Sequence, residues 1–295
     1  MNRSHAAQYH ARLRKVLDHI DAHLEEDLSV EALSEVAAFS KFHFHRQFSE
    51  LLSLSVYKYV QLQRLKRASY QLAFRDGQSI IEIALASGYE GPEAFARAFR
   101  KEIGQSPSGF RKAPDWEPWF NHLQPLNQLR NQHMQPDYRA EMVGIVDFPQ
   151  TRVAVYEHRG DPRLIGQSIR RFIEWRKQHR LPPKVSATFN ILWDNPETTP
   201  PEEFRLDLCA ATRMEIVPGE ANMVAGTLPG GRCAVLRHTG SDETLGAAVK
   251  YLYAQWLPQS GEELRDFPAF VQRVKFFPDV PESEAVSDVF LPLAG

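Results

Sequence analysis

Residues 29–52 read SVEALSEVAAFSKFHFHRQFSELL, and residues 79–103 read SIIEIALASGYEGPEAFARAFRKEI. The two segments are copies of one pattern at a spacing of about 50 residues, so that Val30 in the first corresponds to Ile80 in the second. In each copy, apolar residues recur at helical spacing on both sides of a small residue, which predicts a helix, a tight turn and a second helix. The repeat therefore indicates a helical domain built from two similar halves.

The second helix of each copy is predicted to have one inward and one outward face. The inward residues are apolar and comprise Phe44, Phe48, Leu51, Leu52, Phe95, Phe99 and Ile103. The outward residues are candidate DNA contacts and comprise Lys41, Phe42, His45, Arg46, Ser49, Glu93, Arg97, Arg100 and Lys101. Arginines at matched points can bond guanine bidentately, glutamate can accept from cytosine, and lysines suit phosphates. One such helix would fit a helical bundle with solvated arginines equally well, but two matched copies favour DNA binding.

The chain around these copies also predicts helix. Serines at 29, 40, 79 and 106 each precede an apolar helical pattern, as N-cap residues do. A long helix from about 57 to 74 separates the two copies and ends before Asp76-Gly77. A helix of that length would place the two DNA-reading helices about one turn of DNA, roughly 34 Å, apart.

Three stretches, SKFHFHRQF (40–48), IALASGY (83–89) and FARAFRKEIGQSPSGFR (95–111), resemble the DNA-binding domain of the AraC/XylS family. The resemblance implies an all-α domain with two helix-turn-helix motifs that binds double-stranded DNA at a promoter site. It supports Phe42, His45, Arg46, Glu93 and Arg97 as groove contacts and adds Ala94 to them. Gly91-Pro92 replaces the polar residue that usually begins the second reading helix, which predicts weaker base contacts by that half.

The composition changes after the helical region. Residues 1–113 carry 16 Lys and Arg against 13 Asp and Glu, whereas the remainder carries 19 against 24. Residues 114–139 are rich in Pro, Asn, Gln and aromatic residues, which predicts a linker whose Trp116, Trp119 and Phe120 pack on a domain surface. The expected organisation is a DNA-binding domain at 1–113, a linker at 114–139 and a second domain at 140–295.

The second domain contains its own repeat. RVAVYEHRGDPRLIG (152–166) aligns with RCAVLRHTGSDETLG (232–246) at an offset of 80 residues. Both copies predict a strand, a helix and two further strands, so we expect an α+β domain of duplicated βαββ units in one sheet with helices on one side. His158 and His238 are expected to hydrogen-bond the turns that follow them. A duplicated sheet of this kind places a ligand cleft at the junction of its halves.

Several segments of this domain, among them VAVYEHRG (153–160), LWDNP (192–196), FRLDLCAAT (204–212) and VSDVFLPL (286–293), resemble the GyrI-like small-molecule-binding domain. The resemblance implies binding of a small effector, often hydrophobic and cationic. The candidate ligand-binding residues are Tyr156, Phe172, Glu174, Trp175, Phe189, Trp193, Phe270 and Phe276. Gln272 stands where a carboxylate is expected, so a cationic effector would need Glu174, Asp194 or Asp207 instead.

Other functions receive little support from the sequence. No run of about 18 uncharged apolar residues occurs, and the N-terminus has no apolar signal-peptide core, so we expect a cytoplasmic protein without a membrane partner. Cys209 and Cys233 are expected to be reduced and buried. We expect no metal site, no cofactor and no catalytic residues, because phosphate-binding glycine motifs and nucleophile elbows are absent from the sequence.

These patterns predict a sequence-specific transcriptional regulator controlled by a small molecule, through altered promoter occupancy or altered contact with RNA polymerase. Two alternatives remain open. One is a GyrI-like hydrolase, which would need Glu174 or Tyr156 to converge in the pocket. The other is a sequestering protein whose helical domain serves as a DNA-binding tether.

Overall fold

The computed structural model describes residues 2–217 and 219–295, which form two compact units. The first unit comprises the chain up to Gln135 together with Phe277–Ser283. The second comprises Pro136–Phe276 and Glu284–Gly295. Among the described residues, no helix combines the length and the apolar character needed to cross a bilayer. The first unit thus includes a short segment from far along the chain.

The helices of the first unit are α1 (Asn2–Ala22), α2 (Val30–Val36), α3 (Lys41–Leu52), α4 (Val56–Phe74), α5 (Ile80–Ala86), α6 (Pro92–Ile103), α7 (Pro107–Lys112) and α8 (Trp116–His133). Five helices follow a serine whose side-chain oxygen accepts a hydrogen bond from the backbone N–H three residues later: Ser29, Ser40, Ser55, Ser79 and Ser106. Such caps replace hydrogen bonds that the first helical turn lacks. The four helix starts predicted from serines are therefore confirmed.

The two helix-turn-helix corners have the same backbone geometry. Ala38, between α2 and α3, has a φ of +53°, and Gly88, between α5 and α6, has a φ of +70°. Glycine adopts this left-handed conformation freely, whereas a residue with a Cβ pays roughly 1–2 kcal/mol. The first corner therefore carries strain that the second avoids.

The segment 114–139 is not the linker that its composition predicts, because most of it forms α8 in the first unit. The apolar side chains of α8 recur every three or four residues and are buried: Trp116, Trp119, Leu123, Leu126 and Leu129. This spacing is that of an amphipathic helix packed on a core. Pro125 inside the helix and the many Asn and Gln residues obscured the pattern in the sequence.

Four charged side chains meet inside the first unit. Asp21, Lys66, Arg130 and Glu282 form this four-charge cluster, and each side chain is at most 6% exposed. Arg130 Nη2 lies 2.9 Å from Asp21 Oδ2 and 3.3 Å from Glu282 Oε2. Lys66 Nζ lies 2.7 Å from Glu282 Oε1. The two positive and two negative charges balance, as burial of charge requires.

The second unit is built on one antiparallel sheet with strands β1 (Val143–Phe148), β2 (Thr151–Arg159), β3 (Thr188–Leu192), β4 (Arg205–Ala211), β5 (Met223–Leu228), β6 (Gly231–Thr239), β7 (Phe270–Lys275) and β8 (Val286–Pro292). Their spatial order is β1-β6-β8-β7-β3-β4-β2-β5. The helices are α9 (Ile165–Gln178), α10 (Asp242–Tyr251) and α11 (Leu257–Ser260). A π-helical stretch, Leu252–Trp256, joins α10 to α11.

The predicted α+β domain of duplicated units is confirmed, and each unit has one strand more than the predicted βαββ. The added strands are β1 and β5, which give each half the order ββαββ. Each added strand pairs with the other half, β1 with β6 and β5 with β2. Gly144 and Gly226 lie within these strands and lower their strand propensity, so the sequence did not reveal them.

The sheet curls around one of its faces. Only Pro149 and Gln150 join β1 to β2, although these strands lie near opposite ends of the strand order. On a flat sheet, the four strand spacings from β1 to β3 would span roughly 19 Å. The ring centroids of Phe148 in β1 and Phe189 in β3 are nevertheless 6.0 Å apart. The aromatic residues therefore lie on the inside of the curl.

The helices cover the opposite face of the sheet. Phe172 and Trp175 of α9 pack there with Tyr156 of β2, and Leu245 of α10 packs with Leu236 of β6. This arrangement confirms the expectation of helices on one side. Because side chains alternate along each strand, one set of residues builds this helix-covered core and the alternate set builds the inner face.

Candidate nucleic-acid interface and sheet cavity

Helix α3 has the two faces predicted for it. Phe44, Phe48 and Leu52 are buried. The candidate DNA contacts Lys41, Phe42, His45 and Arg46 are exposed, and Ser49 is half-buried.

Two large apolar side chains of α3 are exposed. Phe42 is 84% exposed, and Leu51, for which the sequence predicted an inward position, is 42% exposed. At about 100° per residue, Leu51 lies only about 20° from Phe44 around the axis of α3, so helical spacing does not account for its exposure. A phenylalanine ring in this position can pack on the methyl group of thymine in a major groove.

Helix α6 repeats the arrangement. Phe95, Phe99 and Ile103 are buried, whereas Glu93, Arg97, Arg100 and Lys101 are exposed and Ala94 is half-buried. Gly91 is the N-cap residue and makes no side-chain capping hydrogen bond, and Pro92 follows it. The start of α6 thus lacks the polar side chain that Ser40 supplies to α3, which supports the weaker base contacts predicted for this helix.

The arginines of the two reading helices are available for a ligand. Among the described residues, neither Arg46 nor Arg97 pairs with a carboxylate. Lys41, in contrast, forms an ion pair with Glu31, and its hydrogen bond lowers the pKa of that carboxyl. Lys58 is paired with Glu102 at 2.7 Å. Guanidinium groups without carboxylate partners on exposed helix faces suit the bidentate recognition of guanine.

The inner face of the sheet in the second unit contains a cavity of about 470 Å³. Its lining is mainly apolar and comprises Val146, Asp147, Phe148, Pro149, Thr151, Ala187, Phe189, Ala211, Val235, Gln272, Asp288 and Phe290. These residues come from all strands except β5, since the curl brings distant strands together. A volume of this size is in the range of small-molecule sites.

Aromatic rings form the floor of the cavity. Phe148, Phe189 and Phe290 line it, and Phe270 packs against them with ring centroids 4.9 to 6.3 Å away. Phe189 of β3 and Phe270 of β7 lie in matching strands of the two halves, which adjoin at the centre of the sheet. The predicted cleft at the junction of the halves is therefore present as an aromatic cavity.

Few polar groups lie at the cavity. Gln272 of β7 lies directly across from Asp288 of β8. Arg237 of β6 donates two hydrogen bonds to the Asp288 carboxylate, from Nε at 2.7 Å and from Nη2 at 2.8 Å. The hydrogen bond to Asp288 raises the pKa of Arg237, so the guanidinium stays charged.

The predicted ligand-binding residues do not all meet at this cavity. Phe189 lines it and Phe270 lies beneath its surface. Tyr156, Phe172 and Trp175 instead pack in the core between the sheet and α9, because their side chains point to the helix-covered face. These three residues therefore do not line this cavity, although Tyr156 lines a second one, of about 480 Å³, beside His158 and Arg171.

The remaining candidates lie elsewhere. Glu174 is on the outer surface of α9, where its Oε1 accepts a hydrogen bond from Arg170 at 3.2 Å. Phe276 follows the end of β7, is half-buried and does not line the cavity. Neither Glu174 nor Phe276 can therefore contact a ligand on the cavity floor.

Trp193 follows β3 and is 42% exposed. Its Nε1 donates a hydrogen bond to Asp207 Oδ2 at 2.7 Å, and the Arg205 guanidinium lies 4.5 Å from the centre of its ring. Arg205 also bonds Asp207 and Glu157. Asp207, named above as a substitute carboxylate, is thus already paired, and neither it nor Trp193 lines the cavity.

Phe148, Phe290 and Asp288 line the cavity but were not among the sequence candidates. Phe148 was missed because its strand β1 was missed. Asp288 and Phe290 could have been found from the repeat. DVFLP (288–292) occupies the same position in the second half as DLCAA (207–211) does in the first, which marks both segments as strands of the duplicated sheet. Alternation along β8 places Asp288 and Phe290 on one face, and that face belongs to the cavity.

The two repeated histidines bond the turns that follow them, as predicted. His158 Nε2 lies 3.2 Å from the Asp161 carbonyl oxygen, and His238 Nε2 lies 3.0 Å from that of Ser241. Burial lowers the pKa of both imidazoles. Their contacts are those of a duplicated scaffold.

Both units of the chain match known protein families. A family model described as a GyrI-like small molecule binding domain matches residues 141–294, and one described as a helix-turn-helix domain matches residues 33–113. Over 153 residues the chain is 39% identical to the probable transcriptional regulator YgiV of Escherichia coli K12, a match that covers 52% of this chain and 96% of that protein. The AraC-type and GyrI-like resemblances read from the sequence are thereby confirmed.

Two further relatives each match about a third of the chain. The uncharacterized HTH-type transcriptional regulator YbfP of Bacillus subtilis is 40% identical over 103 residues, which is 35% of each chain. The Right origin-binding protein of Escherichia coli K12 is 29% identical over 104 residues, covering 35% of this chain and 36% of that protein.

Proposed function

Since the chain belongs to the GyrI-like small-molecule-binding family and joins that domain to a helix-turn-helix domain, it is a DNA-binding transcriptional regulator, and we propose that a ligand in the sheet cavity controls it. The observation that carries the proposal is the aromatic cavity at the junction of the two sheet halves. A regulator of this kind requires two separate sites, one for DNA and one for the effector.

The DNA site comprises the outward faces of α3 and α6. Arg46 and Arg97 are the base-reading arginines, and Phe42 packs on a thymine methyl group. Lys41, His45, Ser49, Glu93, Ala94, Arg100 and Lys101 complete the contacts. Because Gly91 begins α6 without a polar side chain, α3 supplies more of the sequence discrimination than α6.

The effector acts by differential binding. A ligand that binds one state of the protein more tightly raises the population of that state. In this proposal the favoured state differs from the other in its occupancy of promoter DNA or in its contact with RNA polymerase. In this proposal the effector is held and released unchanged. The polar side chains at the cavity are the Gln272 amide, the Thr151 hydroxyl, Asp147 at the exposed rim and Asp288, which Arg237 already neutralises. The carboxylate that a hydrolase would use, Glu174, lies on the outer surface of α9.

The DNA-binding part is tested by selecting genomic fragments with the full-length protein at physiological salt and excess competitor DNA, because specificity distinguishes a regulator from a general cationic surface. Arg46→Ala is expected to lose the enriched sequence, with a cost of about 1–3 kcal/mol per lost bidentate contact. Arg213→Ala, which removes an exposed arginine from the second unit, is the matched control and should retain it. Binding that is equally strong for all sequences would contradict the proposal.

Control by an effector is tested with the operator sequence that this selection identifies. Val235→Trp fills the cavity with a larger side chain, so it should abolish any response of DNA binding to small molecules while leaving operator binding itself intact. Retention of the ligand response in Val235→Trp, with a near-native circular dichroism spectrum, would place the effector elsewhere.

A further inference from the structure

The charges at the sheet cavity cancel. Asp288 is 14% exposed at its side chain and is bonded through both oxygens by Arg237, whose side chain is 63% exposed. Asp147, the other carboxylate of the lining, is exposed at the rim, where water screens it. A molecule on the cavity floor therefore meets no net charge from the side chains around it.

The remaining polar groups of the lining are the Thr151 hydroxyl, which donates to the Pro149 carbonyl oxygen at 2.8 Å, and the Gln272 amide. Gln272 lines the cavity, and its side chain has no hydrogen-bond partner among the described residues. An amide offers two donors and an acceptor, so it can bond a carbonyl, a hydroxyl or a ring nitrogen. The rings of Phe148, Phe189 and Phe290 provide flat apolar contacts beside it.

The free energy of binding at this cavity depends on the charge of the ligand. A cation gains from the faces of the aromatic rings, but it loses hydration without an unpaired carboxylate to compensate. An anion meets the negative faces of the rings, and Arg237 is already engaged by Asp288. A neutral molecule loses little hydration and gains apolar contact.

We infer that the cavity selects neutral, flat and largely apolar molecules that place one hydrogen-bonding group on the Gln272 amide, and that residue 272 sets the charge of the ligand that is accepted. The inference rests on the proposed function, because it names the ligand class of the same site. It departs from the cationic effectors that the family resemblance implied.

Acridine and N-methylacridinium test the inference, since they share a ring system and differ in charge. Binding to the full-length protein is followed by fluorescence, well above the pKa of acridine. The wild type is expected to bind acridine about tenfold or more tightly than N-methylacridinium. Gln272→Glu is expected to improve binding of the cation by roughly tenfold and reverse the preference, because the new carboxylate has no cation of its own.

Two further variants separate charge from other effects. Gln272→Met keeps the site neutral, so it should weaken acridine binding without improving binding of the cation. Arg237→Leu frees the Asp288 carboxylate and should improve binding of the cation, as Gln272→Glu does. Tighter binding of N-methylacridinium than of acridine by the wild type, or no gain for the cation in either charge variant, would overturn the inference.

Failure of the inference is distinguishable from failure of the proposed function. If both probes bind the wild type and Val235→Trp loses both, the cavity is a ligand site whatever the charge preference turns out to be. If neither probe nor any small molecule affects the operator complex and Val235→Trp changes nothing, the cavity has no effector role. Loss of sequence-specific DNA binding is measured independently, by the selection of genomic fragments described above.

Discussion

Ion pairs occur in both units, but at different depths. In the first unit the four-charge cluster is sealed from water, with side chains at most 6% exposed. In the second unit the pair at the cavity is partly hydrated, because Arg237 is 63% exposed. The comparison shows that ion pairs have different roles in the two units. The buried charges hold helices and a distant segment together, whereas the hydrated Arg237 neutralises a carboxylate beside the cavity.

The buried cluster connects parts of the chain that lie far apart. Asp21 is in α1, Lys66 in α4, Arg130 in α8, and Glu282 in the segment Phe277–Ser283, which the first unit includes. Tyr59 and Gln63 add hydrogen bonds: Arg130 donates to the Tyr59 hydroxyl at 3.1 Å, and Gln63 donates to Asp21. Removal of any one charge leaves its partners buried without full compensation.

The largest effect is expected for Arg130→Met. This change leaves Asp21 and Glu282 buried without their shared cation, so the free energy of unfolding should fall by about 3–5 kcal/mol. Urea unfolding followed by helical circular dichroism measures it, because the first unit supplies most of the helix. Arg130→Lys retains the positive charge, so its free energy of unfolding should fall by less. A loss below about 1 kcal/mol would contradict the role given to the cluster.

Glu282→Gln tests the contribution of the Phe277–Ser283 segment. The variant keeps the shape of the side chain but leaves a net positive charge on Lys66 and Arg130, so we expect a loss of about 1–3 kcal/mol in the same unfolding measurement. Asp279→Asn is the matched control in the same segment, because the ion pair of Asp279 with Arg75 is partly exposed. Equal losses of unfolding free energy in the two variants would show that the burial of Glu282 is not the cause of its effect on stability.

The free energy of unfolding is expected to depend on pH through Asp21, because burial raises the pKa of its carboxyl to about 6. Between its unfolded and folded pKa values, the folded state holds the proton more tightly than the unfolded state does. The free energy of unfolding should therefore fall as the pH rises from about 4 to 6, by at most about 1.4 kcal/mol per pH unit. Asp21→Asn should lack this contribution, so its stability relative to the wild type should increase over that range. The opposite slope would contradict the raised pKa.

The smallest effect is expected for Arg237→Met. Its guanidinium is largely hydrated, so the unfolding free energy should change by only about 0–1 kcal/mol. Urea unfolding of the wild type and the variant checks this, with Arg130→Met as the buried counterpart. A loss as large as that of Arg130→Met would mean that the cavity pair is structural, and the comparison between the two regions would fail.

Much of the helical unit could be read from the sequence. The serine caps, the apolar stripes of α3 and α6 and the small residues at the two corners are local signals, and each was found in place. Helix α8 was missed because Pro125 and its polar composition suggested a linker, although its apolar residues follow helical spacing. Local composition was a weaker guide there than periodicity.

The cavity was only partly predictable. The repeat indicated two matched halves and a cleft between them, and Phe189 and Phe270 were among the candidates. The sequence did not show which aromatic residues face the helices and which face the cavity, because that depends on strand register and on strands β1 and β5. Three predicted residues, Tyr156, Phe172 and Trp175, therefore lie in the helix-covered core and not on the inner face of the sheet.

Patterns in the sequence were enough to predict the two helix-turn-helix motifs and the duplicated sheet units, since periodicity, caps and turns act over a few residues and repeats are visible by alignment. The cavity and the four-charge cluster, in contrast, exist only in the folded chain. The curl of the sheet brings Phe148 to within 6.0 Å of Phe189, and folding brings Asp21 and Glu282 onto one arginine. Such contacts join residues far apart in the chain, and no local pattern specifies which of many possible partners a side chain will meet.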